Sequence, residues 1–278
     1  MLDRNDIFCS VQHEQRRVEC PYLLLQKQES TITEILKPRL LWRMPQKKRV
    51  RIVLPYYTLS ALQLYMEVNK EDTIDLAANT DSERLIDIMV KNPFVPAQII
   101  HREEELAGDR VPKPLVIAST LEKMEQLNKT HYDMVVDMDL TSPLRKVEDI
   151  VHLVETQKKC KADVIYSVTD SRRNPYFNMV MKGDKGYRKV LASNFAARQQ
   201  APVIYDMNAS LYAYDPAFLR TGKGVLDGYG EIIIMEDTGV LDLDHANDFE
   251  LMQVIARYLY ENRPAFREIY QQIQNVVL

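Results

Sequence analysis

Residues 132–168 read YDMVVDMDLTSPLRKVEDIVHLVETQKKCKADVIYSV, and this stretch decides the fold class. Two runs rich in apolar and β-branched residues, Tyr132–Met138 and Asp163–Val168, flank an amphipathic segment at Lys146–Lys159. Short runs of this kind are typical of strands that are buried on both faces, and the segment between them has helical spacing. Two strands joined by a helix lie parallel in one sheet. The stretch therefore predicts a mainly parallel sheet covered by helices.

The same alternation continues on both sides of this unit. The pattern predicts strands at Thr73–Ala78, Ile232–Met235 and Val240–Leu243, and helices at Ser82–Lys91, with Ser82 as its cap, and at Pro114–Gln126. Two further helices close the chain, the first with a capping box formed by Asn247 and Glu250 and the second starting at Pro264. The predicted fold class is α/β with three layers.

Two regions depart from this alternation. From about residue 178 to 215 the chain consists of shorter extended pieces with Asn, Gly and aromatic residues, which predicts a small antiparallel lobe. Residues 1–71 have weak periodicity, with possible strands only at Tyr22–Leu25 and Val50–Leu54. We therefore divide the chain into a divergent N-terminal segment, 1–71, and an α/β domain, 72–278.

Composition excludes several classes of protein. With 278 residues, 46% hydrophobic and 27% charged, the chain has an ordinary globular composition. The net charge of −4 argues against a nucleic-acid partner, because no broad basic field is present. The absence of an apolar run of membrane-spanning length and of a signal peptide predicts a cytoplasmic protein without a membrane partner. Three cysteines without a close pair favour neither a disulfide framework nor a zinc site.

Three polar constellations follow the predicted strands. Asp137–Arg145 (DMDLTSPLR) places carboxylates and hydroxyls where a strand ends and a helix begins, which is where α/β sheets bind ligands. The alternative is that Ser142 only caps the helix, with Pro143 in its first turn. The third constellation is the group around Arg198 and Tyr205–Tyr212. It offers a cation for a carboxylate, and amide or phenol groups for sugar hydroxyls. The alternative is that these are simply the polar residues of an exposed lobe.

The second constellation is Asp242-Leu243-Asp244. Residues two apart on a strand point to the same side, so the two carboxylates suit Mg²⁺ that carries substrate phosphates. The alternative is an acidic turn before a helix, in which Asp248 interacts favourably with the helix dipole.

Together and in order, these segments resemble the cytidylyltransferases that activate nonulosonic acids, over roughly residues 72–262. The matching strings are NTDSERL at Asn79–Leu85, REEELAGDRVPK at Arg102–Lys113, DMDLTSPLR at Asp137–Arg145, RRNPYFN at Arg172–Asn178, ARQQAP at Ala197–Pro202, YDMNASLY at Tyr205–Tyr212, and DLD with DF at Asp242–Phe249. Gln200 stands where many relatives have Asp.

The resemblance implies a three-layer fold of the nucleotide-diphospho-sugar transferase type, with a lobe that often packs against a second subunit in a homodimer. It implies transfer of CMP from CTP to a nine-carbon 2-keto-3-deoxy sugar acid, with release of pyrophosphate. By the same resemblance Asp242 and Asp244 would hold Mg²⁺ and serve catalysis, and Arg102 and Lys113 would face the nucleotide. The residues that would line the sugar site are Asp139, Arg198, Asn208 and Tyr212.

The RRNPYFN and YDMNASLY strings are most similar to the branch that acts on legionaminic-type acids. Phe177 stands at a place that sialic acid enzymes usually fill with Lys. We therefore rank N,N′-diacetyllegionaminic acid ahead of pseudaminic and sialic acids as the acceptor.

The beginning of the chain departs from the family pattern. The family opens with a strand and a PARGGSKGxxxKN loop around the triphosphate, whereas the first glycine here is Gly108. The nearest candidates, Leu25–Thr31 and the cluster Lys47, Lys48 and Arg49, do not reproduce that spacing. Two hypotheses remain: an active synthetase, or a catalytically impaired or inactive descendant that acts as a sugar-binding or interaction protein. We expect weak CTP binding, slow or no turnover, and no cation-rich loop placed over the strand ends by the segment before residue 55.

Overall fold

The structure, a computed structural model, describes residues 22–25, 53–107, 111–239, 242–243 and 246–277. The strands are β1 (Tyr22–Leu25), β2 (Leu76–Thr80), β3 (Ala97–His101), β4 (Val135–Met138), β5 (Val164–Asp170), β6 (Val180–Gly183), β7 (Gly186–Lys189), β8 (Tyr205–Tyr214) and β9 (Gly230–Ile234). The helices are α1 (Pro55–Val68), α2 (Glu83–Lys91), α3 (Lys113–Asn128), α4 (Val147–Cys160), α5 (Pro216–Leu219), α6 (Ala246–Asn262) and α7 (Pro264–Val277), with short 3₁₀ turns at Glu104–Leu106 and Arg198–Gln200.

Seven of these strands form one sheet in the order β3-β2-β1-β4-β8-β5-β9. Every neighbouring pair is parallel except the two pairs that include β8, which runs antiparallel to β4 and β5. The carboxyl ends of β2, β3 and β4 therefore lie at one edge of the sheet, beside the first half of β8. This mainly parallel sheet confirms the predicted fold class.

Helices cover the sheet on both faces, so the fold has three layers. On one face the core contains Leu62 of α1, Leu153 of α4 and Phe266 of α7. On the other face a smaller core is built around Ile117 of α3 and Phe218 of α5. Side chains alternate between the two cores along the central strands, as a strand buried on both faces requires.

The sheet includes chain from both sides of residue 72. β1 pairs with β2 and β4 at the centre of the sheet, and α1 packs in the larger core. Both sides of the division at residue 72 therefore contribute strands to one sheet, although only the stretch after residue 72 resembles the family. In the lobe, β6 and β7 form a separate two-stranded sheet, whereas β8 belongs to the main sheet.

One predicted helix cap is confirmed, whereas two predicted strands and a predicted capping box are wrong where they are described. Ser82 caps α2, its hydroxyl accepting a hydrogen bond from the Leu85 N–H. The predicted strand at Val50–Leu54 is wrong where it is described, because Leu54 leads directly into α1, which has Pro55 in its first turn. Asp242 and Leu243 are not in a strand; residues 240–241 lie outside the described residues. The capping box is also wrong, because Asn247 already lies within α6.

Candidate active site

Polar side chains converge where β2, β3 and β4 end. Lys113, the first residue of α3, lies between two carboxylates: its Nζ is 2.5 Å from Asp137 Oδ2 and 3.1 Å from Asp139 Oδ2. The same ammonium lies 5.2 Å from the centre of the Tyr212 ring, within cation–π range. The structure thus brings together three residues for which the resemblance implies a role, Lys113, Asp139 and Tyr212, and adds Asp137.

The burial of this cluster makes its charges strongly interdependent. Burial opposes the charge on Lys113, but Asp137 and Asp139 outweigh that effect and raise the pKa of Lys113 well above its usual range. Burial raises the pKa of the Asp137 carboxyl despite the opposing effect of Lys113. Lys113 therefore stays protonated at neutral pH and supplies a fixed positive charge.

Asp139 is held in one orientation by the turn that follows β4. Its Oδ1 accepts hydrogen bonds from the backbone N–H of Thr141 at 2.9 Å and from the Thr141 hydroxyl at 2.7 Å. This is the local side-chain-to-backbone pattern that Asp forms in turns. Its Oδ2 remains directed toward Lys113, so the turn sequence D-L-T sets the position of the carboxylate.

The turn after β4 is also stabilised by a buried arginine, Arg145. The Nη2 of Arg145 donates hydrogen bonds to the carbonyl oxygen of Asp139 and, at 2.6 Å, to that of Ser142. Burial lowers the pKa of Arg145 to about 10, with Asp139 and Asp137 opposing the shift. Arg145 belongs to the DMDLTSPLR string, but sequence reasoning assigned it no role, because nothing in the sequence shows that a charged side chain is fully buried there.

Arg102 follows β3 and is anchored on β2. Its Nε donates to Asn79 Oδ1 at 3.2 Å and its Nη2 donates to the Asn79 carbonyl at 2.8 Å. Asn79 is itself fixed, since its amide donates to the Thr120 hydroxyl on α3 at 2.7 Å. Burial lowers the pKa of Arg102, with Asp81 opposing. The guanidinium is thus a positioned cation at the same edge of the sheet as Lys113.

Asp242 is electrostatically coupled to this cluster. Burial raises the pKa of Tyr212 to about 12; Lys113 opposes the shift, and the carboxylates of Asp137, Asp139 and Asp242 add to it. Asp242 Oδ1 accepts a hydrogen bond from the Leu243 N–H at 2.7 Å. Asp244 lies outside the described residues. Among the residues that are described, no group of three or more His, Cys, Asp or Glu could hold a metal ion. Mg²⁺ takes only one or two carboxylates from a protein when substrate phosphates and water complete its shell, so the magnesium role of Asp242 and Asp244 stays a prediction.

The other two residues predicted to line the sugar site are Arg198, in the lobe, and Asn208, on β8 of the main sheet. Arg198 is exposed on a 3₁₀ turn, and its Nη2 donates to the Ser171 carbonyl at 3.1 Å. Asn208 is buried on β8, with its Oδ1 accepting from the Ser167 hydroxyl at 2.5 Å and its amide directed at the Met235 sulfur at 3.4 Å. Among the described residues, no hydrogen bond or ion pair joins either side chain to Lys113. Their predicted roles stay predictions.

Two curated proteins resemble this chain over most of its length, whereas no family model matches it. Post-translational flagellin modification protein B of Campylobacter coli is 31% identical over 182 residues, which cover 66% of this chain and 77% of that protein. CMP-N,N′-diacetyllegionaminic acid synthase of Campylobacter jejuni is 29% identical over 180 residues, or 65% of this chain and 76% of that protein.

Solved structures of two nucleotidyltransferases share the fold. The 4-diphosphocytidyl-2C-methyl-D-erythritol synthase of Anaerococcus prevotii superimposes with a TM-score of 0.53 over 87% of this chain and 97% of its own, at 13% identity. A CMP:2-keto-3-deoxy-manno-octonic acid synthetase complexed with CTP gives 0.54 over 86% and 99%, at 9% identity. At these identities the likeness supports the fold and no residue role.

Proposed function

This chain belongs to the cytidylyltransferase family that activates nonulosonic acids, and we propose that it transfers CMP from CTP to a legionaminic-type acid. The anomeric hydroxyl of the acid attacks the α-phosphorus of CTP, and the bond to the pyrophosphate oxygen breaks. The observation that supports this proposal most directly is the convergence of Lys113, Asp139 and Tyr212 at the carboxyl ends of the parallel strands.

Transfer of this kind needs alignment and charge neutralisation more than a special nucleophile. Lys113 and Arg102 supply two cations whose positions are already set by Asp137, Asp139 and Asn79, so little reorganisation is needed when the phosphates bind. We place the nucleotide phosphates beside Lys113 and Arg102, where β3 and β4 end. Mg²⁺ held by Asp242 and Asp244 would neutralise phosphate oxygens and make pyrophosphate a better leaving group.

We place the acceptor, the sugar acid, beside β8 and the lobe. Arg198 is our candidate partner for the ionised carboxylate of the sugar acid, because a guanidinium can bind a carboxylate through two parallel hydrogen bonds. Asp139, Tyr212 and Asn208 complete the proposed sugar site. Phe177, half-buried in the loop before β6, offers an apolar surface rather than a cation, which favours a legionaminic-type acid over a sialic acid.

A substrate panel tests this proposal. Purified protein with millimolar CTP and Mg²⁺ should release pyrophosphate with N,N′-diacetyllegionaminic acid faster than with pseudaminic or sialic acid. Exclusive use of sialic acid or of 3-deoxy-manno-octulosonate would overturn the ranking. The absence of pyrophosphate release with every acid, at enzyme concentrations that detect a single turnover, would favour the inactive descendant instead.

A further inference from the structure

Asp137 is a charged residue at a position of β4 that faces the smaller core. On the same face of this strand, two residues earlier, lies Val135, which packs in the core formed with Ile117 of α3. By the alternation of the strand, position 137 points to that face too. Asp137 is fully buried there, paired across the sheet with Tyr212. A carboxylate at such a place is costly unless a cation compensates its charge.

Lys113 is that cation, and the contact is tighter than the one with Asp139. The ammonium is 2.5 Å from Asp137 and 3.1 Å from Asp139. Asp137 forms an ion pair with Lys113, and neither of its carboxylate oxygens has another hydrogen-bond partner in the described part of the chain, although the charge of Arg145 also favours the ionised carboxyl. Displacing Lys113 would leave a buried, uncompensated carboxylate, and the ammonium is therefore held in place.

Asp139 cannot hold Lys113 by itself in the same way. One of its oxygens is engaged by Thr141, and the residue lies on a turn, whereas Asp137 lies within a central strand. A lysine side chain has four rotatable bonds and is a poor positional element without a rigid partner. Asp137 supplies that rigid partner, and the Tyr212 ring limits the ammonium on another side.

We propose that Asp137 is a positioning residue of the CMP transfer: its buried carboxylate holds the Lys113 ammonium beside Asp139 and over Tyr212, ready for the nucleotide phosphates. This role rests on the proposed function. In this role Asp137 acts through Lys113 and not by touching substrate. A cation fixed before the reaction stabilises developing charge without reorganisation, so loss of its anchor lowers the rate of the chemical step more than it weakens CTP binding.

The test is Asp137→Asn, which keeps the shape of the side chain and removes its charge. With CTP and N,N′-diacetyllegionaminic acid, we expect kcat to fall about 10- to 100-fold while the KM for CTP changes by less than about threefold. The matched control is Asp149→Asn, a second buried carboxylate whose Oδ2 accepts a hydrogen bond from the Lys146 N–H at the start of α4 and which interacts with Lys146 and Arg145 rather than with Lys113. This control should lose stability and keep its kcat within about twofold of the wild type.

A double-mutant cycle with Lys113→Met separates a positioning role from a structural one. If Asp137 acts only through Lys113, adding Asp137→Asn to Lys113→Met lowers kcat no further. Additive losses, a wild-type kcat in Asp137→Asn, or a loss confined to KM would each overturn the proposal. Absence of turnover in the wild type refutes the proposed function itself and this role with it, whereas a turning-over wild type with an unaffected Asp137→Asn variant refutes this role alone.

Discussion

Two carboxylates and two cations share the buried end of β4. Lys113 contacts the carboxylates of Asp137 and Asp139, and Arg145 interacts electrostatically with both of them. These four charges sum to zero, Lys113 is partly exposed, and Arg145 interacts with the buried Asp149 as well. Such a cluster tolerates removal of a matched pair far better than removal of one member, because one member leaves a buried charge without compensation.

This balance predicts an unusual pH dependence for Lys113→Met. Burial raises the pKa of Asp137 in the folded protein, and loss of Lys113 removes the largest opposing effect. A carboxyl whose folded pKa is raised adds stability below its unfolded pKa and loses it as pH rises through the folded value. Lys113→Met should therefore be destabilised by about 3 kcal/mol at pH 7 and by clearly less at pH 5, measured by urea unfolding.

The control for this prediction is Lys113→Met combined with Asp137→Asn. With the buried carboxylate gone, the stability difference from the wild type should shrink at pH 7 and lose most of its pH dependence. A Lys113→Met variant whose deficit is constant between pH 5 and pH 7 would contradict the assigned burial of an ionised Asp137.

Asp242 carries the prediction about the metal. Asp242→Asn should lower pyrophosphate release about 100-fold or more, because an amide is a much weaker ligand for Mg²⁺ than a carboxylate. The amide oxygen can still accept the hydrogen bond from the Leu243 N–H, so the urea midpoint should not change. Glu250→Gln, an exposed acid on α6, is the matched control. A wild-type rate in Asp242→Asn would remove Asp242 from the reaction.

For single residues, the sequence predicted which side chains meet at the site better than it predicted their burial and pairing. Lys113, Asp139 and Tyr212 were assigned through ordered strings, and the structure brings all three together. Asp137 and Arg145 stood in the same string without a role, because nothing in the string shows that Asp137 pairs with Lys113 or that Arg145 is fully buried. The pairing of Asp137 brings the first residue of α3 to the end of β4, a contact between separate elements that no local pattern encodes.

At the scale of elements, periodic segments were predicted well and short polar ones were not. α2, α3 and α4 each differ from their predicted ranges by no more than about two residues, within the normal uncertainty of helix ends. The capping box at Asn247 and Glu250 was wrong because the spacing of a capping box also occurs inside a helix. Asp242 and Leu243 were assigned to a strand, but that predicted strand has only four residues, too few to define a period.

The β6–β7 hairpin carries the prediction about assembly. Val180 is 65% exposed and Tyr187 77% exposed, and Met179 and Met181 are also exposed beside them. We expect this surface to be covered in a homodimer, because a cluster of exposed apolar side chains commonly marks an interface. The wild type should sediment as a dimer at micromolar concentration, and Val180→Asp should shift it to the monomer while keeping its far-UV circular dichroism.

The matched control for the hairpin is Val90→Asp. Val90 is 66% exposed on α2, so the substitution introduces the same charge at a similarly exposed position outside the lobe. It should leave the sedimentation coefficient unchanged. A monomeric wild type, or a dimer that survives Val180→Asp, would exclude the hairpin as the interface.

At the scale of the whole molecule, the sheet is continuous across a boundary in sequence resemblance. β1 lies inside it, between β2 and β4, although residues 1–71 match no family string, and the apolar run Tyr22–Leu25 was one of two parts of that segment with a strand signal. β1 ends at Leu25, on the same edge of the sheet as the ends of β2 and β4. The nearest substitutes for the glycine loop, Lys27 and Lys47–Arg49, lie outside the described residues, so the expectation about that segment stays a prediction.

Among the described helices, none combines the length and the hydropathy that crossing a bilayer requires.

The composition of that N-terminal segment predicts the affinity for CTP. Residues 1–107 contain no glycine, and a triphosphate with about four negative charges normally recruits several backbone N–H groups, each charge-assisted bond contributing roughly 1.5–3 kcal/mol. Loss of two or three such bonds weakens binding by about two to six orders of magnitude. Arg102 and Lys113 remain, but Lys113 is already shared between two carboxylates. Calorimetry with Mg²⁺ should therefore give a CTP dissociation constant of about a millimolar or weaker. Substituting Lys27, or Lys47 together with Lys48, by Ala should not weaken it further. A micromolar dissociation constant for the wild type that either substitution raises to the millimolar range would show that these lysines replace the glycine loop. It would also show that the protein binds CTP as tightly as an active synthetase requires.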